Sequence, residues 1–573
     1  MAESSDPKIQ LARIAVFSGP TATIQNSEPL VTSNKARTKY GLAPRANPNG
    51  TPARFDTLRP QRLAAPVTVY IEQFSAHPLE RDAAELYGPP DGYIGSDGVF
   101  RKEARGSSDT PVYEVTLSPE DGLYLLPYMA RQANGQPWES DGAYPNAPAD
   151  SCRQPFYPDA ARIFEEIDRF GVGHQGTCNL LSSKASFDFF RPAPSGGYKH
   201  GLRESMRTDK GEGDIAPETL GQDFFVYRPA HIRQSPSMGH LARVTNTVQD
   251  VLSSGNYGGA IWLEGSPNVE ESIYWLNLLI DTTVPIVGNA SQRPHGSLGN
   301  DGDLNIVHAV DYLTSRVWAG SAGADEIGNV LIQEKQIFTA RDVQKADARP
   351  GGYVTTGGHG GIVGSLGNAG PAVLTFKPLK RHTHTSEVNL RRLPDGVPGV
   401  KQIDGKLSVV NVKIKDGNGK LLAAAIPKVT IAKTARYLAE SAGDPSSEIE
   451  VLARMDKNFK DFPLAGFVAE GVSPYGNLME SLGAALKRAV LSGMPVVRVG
   501  RGNAEGFTKP PGPGELIISG SNLTATKARL LLMACLMKFG SLPPAADIEN
   551  PTQNEVAEIK KKLMQYQAVF DTH

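Results

Sequence analysis

Apolar positions along this chain keep two periods, and each marks a different element. Arg13-Ile14-Ala15-Val16-Phe17 is an apolar run closed by Ser18-Gly19-Pro20-Thr21, which predicts a first strand ending in a turn. Residues 67–74 predict another strand. Residues 241–252 carry helical spacing, residues 258–263 read as a strand, and residues 270–279 read as a helix. Val284-Pro285-Ile286-Val287 predicts a buried strand stopped by Gly288, followed by a polar loop through Arg293 and a new helix start near Asp301-Gly302-Asp303. Residues 329–332 continue the series with a strand that precedes Gln336-Ile337-Phe338. Strand and helix alternating at this spacing predict a parallel, doubly wound sheet.

The pattern restarts after a polar connector. Residues 426–431, 466–468 and 494–499 predict strands, and residues 478–492 and 526–539 predict helices. The expected fold class is therefore α/β: a larger N-terminal domain over residues 10–380, a linker over 381–421 and a smaller C-terminal α/β domain over 422–573. Within the first domain, residues of about 87–230 are loop-rich and read as an insertion, with helices expected at 159–170 and within 181–190.

Composition narrows the function classes. The 573 residues are 40% hydrophobic and 21% charged, with a formal net charge of −2. That balance gives no reason to expect a nucleic-acid partner. No apolar stretch has membrane-spanning length and Met1-Ala2-Glu3-Ser4-Ser5 lacks the marks of a signal peptide, so a cytoplasmic protein without membrane partners is expected. Cys152, Cys178 and Cys535 form no metal spacing. His359 sits in a Gly-rich run without the strand–GxxxxGK[ST]–helix context of a phosphate loop, so no metal and no cofactor is expected.

Loops at the carboxyl ends of parallel strands are where open α/β sheets bind ligands, and several of these loops carry motifs. Residues 17–22 resemble the "A-T-G-G-T-I" segment of the asparaginase/glutaminase family. Residues 262–272, Trp-Leu-Glu-Gly-Ser-Pro-Asn-Val-Glu-Glu-Ser, are similar to its "I-T-H-G-T-D-T-x-E-E-T". Residues 284–305 resemble "V-G-A-M-R-P…A-D-G-P-L-N", and Arg341-Asp342-Val343-Gln344-Lys345 resembles "R-D-V-x-K". Residues 466–478 and Ser519-Gly520-Ser521-Asn522 with Lys527-Ala528-Arg529 resemble two C-terminal segments of the same family. The resemblance covers most of residues 10–35 and 230–570.

The resemblance implies a hydrolase acting on carbon–nitrogen bonds, with a threonine nucleophile and a small-molecule amide as partner. Thr21 inherits the nucleophile's place and Lys345 that of the catalytic lysine. Ser266 replaces a second threonine but keeps the hydroxyl. A hydroxyl needs a neighbouring base to become nucleophilic, and a lysine serves as one where its surroundings lower its pKa. Ser235, Gly265, Pro267 and Tyr40 fall at substrate-binding positions. At Pro267 the family has an aspartate that binds the substrate's α-amino group. Proline offers neither charge nor donor, so free L-asparagine is not the expected substrate. The family also implies a homotetramer or homodimer.

Each residue has a plainer reading. Thr21 can stabilise a turn, Lys345 can be a solvated charge, and Ser266 can cap the following helix. Two other functions stay open: an asparaginase/glutaminase whose carboxylate has moved, and a non-catalytic binding or regulatory protein of the same fold.

Overall fold

The computed structural model describes residues 12–19, 67–71, 90–94, 100–117, 164, 167, 180–190, 238–293, 299–355, 359–367, 372–380, 383–434, 443–473, 475–501, 508–512 and 514–573. It divides into two compact units. The first takes Met1–Pro236, Ile261–Ser266 and Asn289–Val310, and the second takes Ser237–Ala260, Pro267–Gly288 and Asp311–His573.

In the first unit, β1 (Ala12–Ser18) forms as the apolar run predicts, with Ile14 to Phe17 buried. Strands β2 (Val67–Ile71), β3 (Gly92–Ile94), β4 (Phe100–Arg101) and β5 (Thr110–Leu117) make a small antiparallel sheet in the order β2-β5-β3-β4. Residues 185–190, inside a segment expected to be helical, are instead strand β6 (Ala185–Phe190), paired parallel to β1 from Ala12↔Ala185 to Phe17↔Phe190. Ala-Ser-Phe-Asp-Phe-Phe alternates apolar and polar positions over its first residues. An open edge of β1 selects that period of two, and Arg13 Nε donates to the Asp188 carboxylate at 2.8 Å across the pair. Phe164 and Ile167 are helical and buried, as their spacing predicts, and the Phe164 ring lies 5.0 Å from that of Phe187. Strand β7 (Gly259–Leu263) follows β1 in the sheet, and its last three residues belong to this unit.

The second unit holds helix α1 (Met238–Ser253), helix α2 (Val269–Leu279) and most of β8 (Ile286–Asn289). Helix α3 (Gly302–Ser315) starts where the sequence placed a helix start, and it is followed by β9 (Val330–Gln333) and β10 (Gln336–Thr339). Strand β8 pairs parallel to β9, as expected of a buried apolar run. Beyond it the sheet turns antiparallel. The β9–β10 hairpin closes through Glu334 and Lys335, both at positive φ, and the short strands β11 (Val343–Lys345) and β12 (Tyr353–Thr355) form a separate ladder. Strands β13 (Ile362–Ser365) and β14 (Val373–Leu374) complete the order β14-β13-β10-β9-β8.

The polar connector contains a hairpin of β15 (Gly396–Ile403) and β16 (Lys406–Lys413). Its turn residues Asp404 and Gly405 have φ of 49° and 78°. Positive φ at both central positions is what a two-residue hairpin turn requires and what Asp-Gly supplies. The C-terminal sheet, β17 (Lys428–Lys433), β18 (Ala465–Gly471), β19 (Val496–Gly500) and β20 (Ile518–Ser519), is parallel throughout. Helices α4 (Ile449–Asp461), α5 (Glu480–Leu491), α6 (Ala525–Phe539) and α7 (Gln553–Thr572) accompany it. A capping box at Thr552 and Glu555 starts α7. Helix α6 is apolar nearly all round and belongs to the hydrophobic core of this unit, with Lys527 the one charged residue on its buried surface. Among the described residues no helix is long and apolar enough to cross a membrane.

One buried carboxyl sets a pH dependence. Asp325 is 2% exposed and accepts the backbone N–H groups of Ile327 and Gly328, both at 2.9 Å. Burial raises its pKa from 3.8 to about 7, although those two bonds pull the other way. A carboxyl held more basic in the fold stabilises it fully below the unfolded value near 3.8, and loses that contribution as pH rises through about 7. Asp325→Asn is expected to flatten the fall in melting temperature between pH 4 and pH 7. An unchanged slope would remove Asp325 as its source.

Candidate active site

In the first unit, the turn after β1 is fixed by the residues that end β7. The Gly19 N–H donates to the Leu263 carbonyl at 2.6 Å. Glu264, 3% exposed, lays its carboxylate directly against Gly19. A Cβ at position 19 would stand 2.2 Å from Glu264 Oε2 and 2.9 Å from Trp262 Cζ2, so only glycine fits. Glu264 Oε1 also accepts the Gly265 N–H at 3.2 Å. Thr21 follows two positions after Gly19. It lies outside the described residues, as do Tyr40 and Ser235.

Gly265 is buried, Ser266 half-buried and Pro267 exposed. The N-cap of α2 is Asn268 rather than Ser266, and the Asn268 side chain makes no cap bond. The helix starts instead on backbone bonds, with Glu270 N–H donating to the Pro267 carbonyl at 3.0 Å. In the loop after β8, Asp301 Oδ1 accepts the backbone N–H groups of Gln292 and Arg293, each at 3.1 Å. Asn305 Nδ2 donates to the Ala290 carbonyl at 3.1 Å and Asn289 Nδ2 donates to that of Asn305 at 3.2 Å. Asp301 and Asn305 thus hold the loop's shape.

In the second unit, four sequence-distant segments meet at the amino end of α2. The Glu270 carboxylate accepts the backbone N–H of Lys345, which fixes the end of β11. Burial raises the Glu270 pKa, opposed chiefly by the charge of Lys527. Lys527, 1% exposed, donates to two backbone carbonyls, those of Glu270 and of Ala340, the latter at 2.6 Å, and lies 5.1 Å over the Tyr274 ring. Burial lowers its pKa to about 8. Arg341 pairs with Asp342 at 2.6 Å, donates through Nη2 to Asn522 at 2.8 Å and through Nε to the His573 carbonyl at 2.5 Å. Asp342 is also held by Thr339 Oγ1 at 2.8 Å, and Arg529 faces Glu271 at 3.5 Å. Lys345 Nζ donates to the Arg349 carbonyl at 2.9 Å and stands 4.6 Å over the Tyr353 ring.

The segments joined here, 270–271, 339–345, 522 and 527–529, are those that carry the motifs. Residues 231–360 match the model of the N-terminal domain of asparaginase. The chain is 30% identical over 167 residues to a glutaminase-asparaginase of Acinetobacter glutaminasificans, across 29% of this chain and 47% of that protein. It is 31% identical over 199 residues to an L-asparaginase of Bacillus licheniformis, across 34% of this chain and 54% of that one.

Over these residues the chain is similar to the asparaginase family.

A third relative, a glutaminase-asparaginase of Pseudomonas fluorescens biotype A, is 24% identical over 305 residues, which cover 52% of this chain and 69% of that protein. The chain spans about half the length of the first two relatives.

Against this family the departures gain definition. Glu264, standing where the family has histidine, contributes a buried carboxylate beside the Gly19 turn. Glu270, Arg341 and Lys527 appear in the motifs only as letters. A letter states a residue type, and the role of each depends on a partner 70 to 260 positions away, as with Lys527 and Glu270. The available signal for Lys527 was a lysine in the first turn of a mostly apolar helix, a position that demands partners where it is buried.

Gly19→Ala drives a methyl into the Glu264 carboxylate, and overpacking of this kind costs about 1–3 kcal/mol. A chemical-denaturation midpoint lowered accordingly is the expected result. A variant as stable as the parent would show that the turn has room.

Proposed function

We propose that this chain is an amidohydrolase whose nucleophile is Thr21. The observation that supports this best is the bonding of the Lys345 strand to Glu270 and of Lys527 to Glu270 and Ala340, which gives the candidate lysine a fixed backbone position. In this reading the Thr21 hydroxyl attacks the carbonyl carbon of a small amide and passes its proton through Ser266 and Lys345 to the leaving nitrogen. Backbone N–H groups of the turn stabilise the oxyanion. Water then cleaves the acyl ester, and acid and free threonine are regenerated. The protein would act as a homo-oligomer.

The matched relatives are called glutaminase-asparaginase and L-asparaginase. Pro267 argues against their substrates for this chain, because an α-ammonium group finds no carboxylate at that position. An amide, lactam or imide without that group fits better. A second reading has one observation in its favour: the Glu264 carboxylate, against Gly19, supplies the charge from another position, and asparagine or glutamine is then a substrate after all.

An ammonia-release assay over primary amides, with ring-opening assays for lactams and cyclic imides, is expected to find turnover that Thr21→Ala reduces to background. Turnover indifferent to Thr21→Ala would sink the threonine mechanism. Restoring the carboxylate with Pro267→Asp is expected to raise kcat/KM for L-asparagine relative to the preferred substrate. A charge-assisted hydrogen bond is worth about 1.5–3 kcal/mol, which is on the order of 10- to 100-fold. A parent protein that already prefers L-asparagine, losing that activity in Glu264→Gln, would establish the second reading in place of the first.

A further inference from the structure

A cavity of about 350 Å³ lies wholly within the second unit, lined by residues that include Asn277, Asn329, Arg341, Gly360, Lys380 and Asn522. Its size is at the lower end for small-molecule sites. Asn329 is 1% exposed. Its backbone N–H donates to Asn277 Oδ1 at 3.0 Å, yet neither its side-chain oxygen nor its side-chain nitrogen has a hydrogen-bond partner among the described residues. Leaving a buried polar group unpaired costs about 1–3 kcal/mol. A buried amide with both ends open is therefore a feature a polar occupant would complete.

The charges on the walls say what kind of occupant. Lys380 is half-buried and donates to the Asp571 carbonyl. Burial lowers its pKa, and the nearby Arg341 guanidinium lowers it further, so two cations share this region. Among the described residues on the wall the one acid, Asp342, is already committed to Arg341 and to Thr339. An anion near Lys380 would offset the repulsion between the cations.

We infer that this cavity binds a small carboxylate carrying a second polar head, with the carboxylate beside Lys380 and Arg341 and the second head on the Asn329 amide. A compound of amino-acid or dicarboxylic-acid size fits the volume. The 339–342 segment forms one wall and leads within three residues to Lys345, so an acid bound there would press on the strand that presents the candidate lysine. The acid released by amide hydrolysis and a free metabolic acid share this chemistry.

Calorimetric titration of the full chain with succinate and with L-aspartate tests the site without reference to turnover. Saturable binding of at least one acid is expected. Lys380→Gln should weaken it on the order of tenfold or more. Gly360 borders the cavity and a Cβ there meets nothing within 4 Å, so Gly360→Phe adds bulk at the cavity's edge without a clash and should weaken binding while the melting temperature stays that of the parent. No heat with either acid, or binding untouched by both variants, would overturn the assignment. So would binding that Gly360→Phe spares and Ser266→Ala removes, because the acid would then occupy the candidate active site. A protein that binds acid but hydrolyses no amide would refute the proposed function and leave this site standing.

Discussion

Lys527 is the constraint on which the arrangement of the second unit's motifs depends. It is buried on an apolar helix, and an ammonium in that position is tolerated only where its donors are used. Its Nζ uses them on the carbonyls of Glu270 and Ala340, the first in the opening turn of α2 and the second just beyond β10. The same Glu270 then turns its carboxylate to the Lys345 backbone N–H. One cation therefore ties α6 to α2 and to the segment beyond β10, and one carboxylate passes that order on to β11.

The charges are arranged so that neither group stands alone. Burial pushes the Glu270 pKa up and the Lys527 pKa down, and each opposes the other's shift by its own charge. Removing either would leave an uncompensated buried charge, which is more damaging than the net worth of the pair suggests. Arg341 repeats the design a short distance away. It is held by Asp342, Asn522 and the His573 carbonyl, and so fixes the residues just before β11.

The core strands were legible because burial on both faces leaves a continuous apolar run, as in residues 14–17 and 286–287. Helix α6 was legible for the same reason. Residues 185–190 were not, since their period of two is short and its meaning depends on a free edge of β1 that no local window contains. The hairpin of β15 and β16 hid inside a polar connector, because strands exposed along most of their length lack an apolar signal. Its Asp404-Gly405 turn was the readable clue. The candidate site was legible as a set of residue types and illegible as a set of bonds. Lys345 and Ser266 could be picked out from the resemblance of their segments to the family motifs. Nothing local linked Glu270 to residues 75 and 257 positions away. Thr21, Tyr40 and Ser235 lie outside the described residues.

The exchange at position 267 shows how the fold tolerates a change in chemistry. An aspartate there would add a third carboxylate to a helix start that already holds Glu270 and Glu271 in its first turn. Those two already answer the partial positive charge of the helix amino terminus, and the pKa of buried Glu270 is raised further by its neighbour Glu271. Proline leaves the part of position 267 that the fold uses, its carbonyl, which still accepts the Glu270 N–H. In the proposed reading it removes the part a ligand would use. A position whose backbone serves the helix while its side chain faces solvent can change substrate preference at little cost to the scaffold. Glu264 is the opposite case: buried, pressed on Gly19 and bonded to the next N–H, it cannot change without disturbing the turn that precedes Thr21.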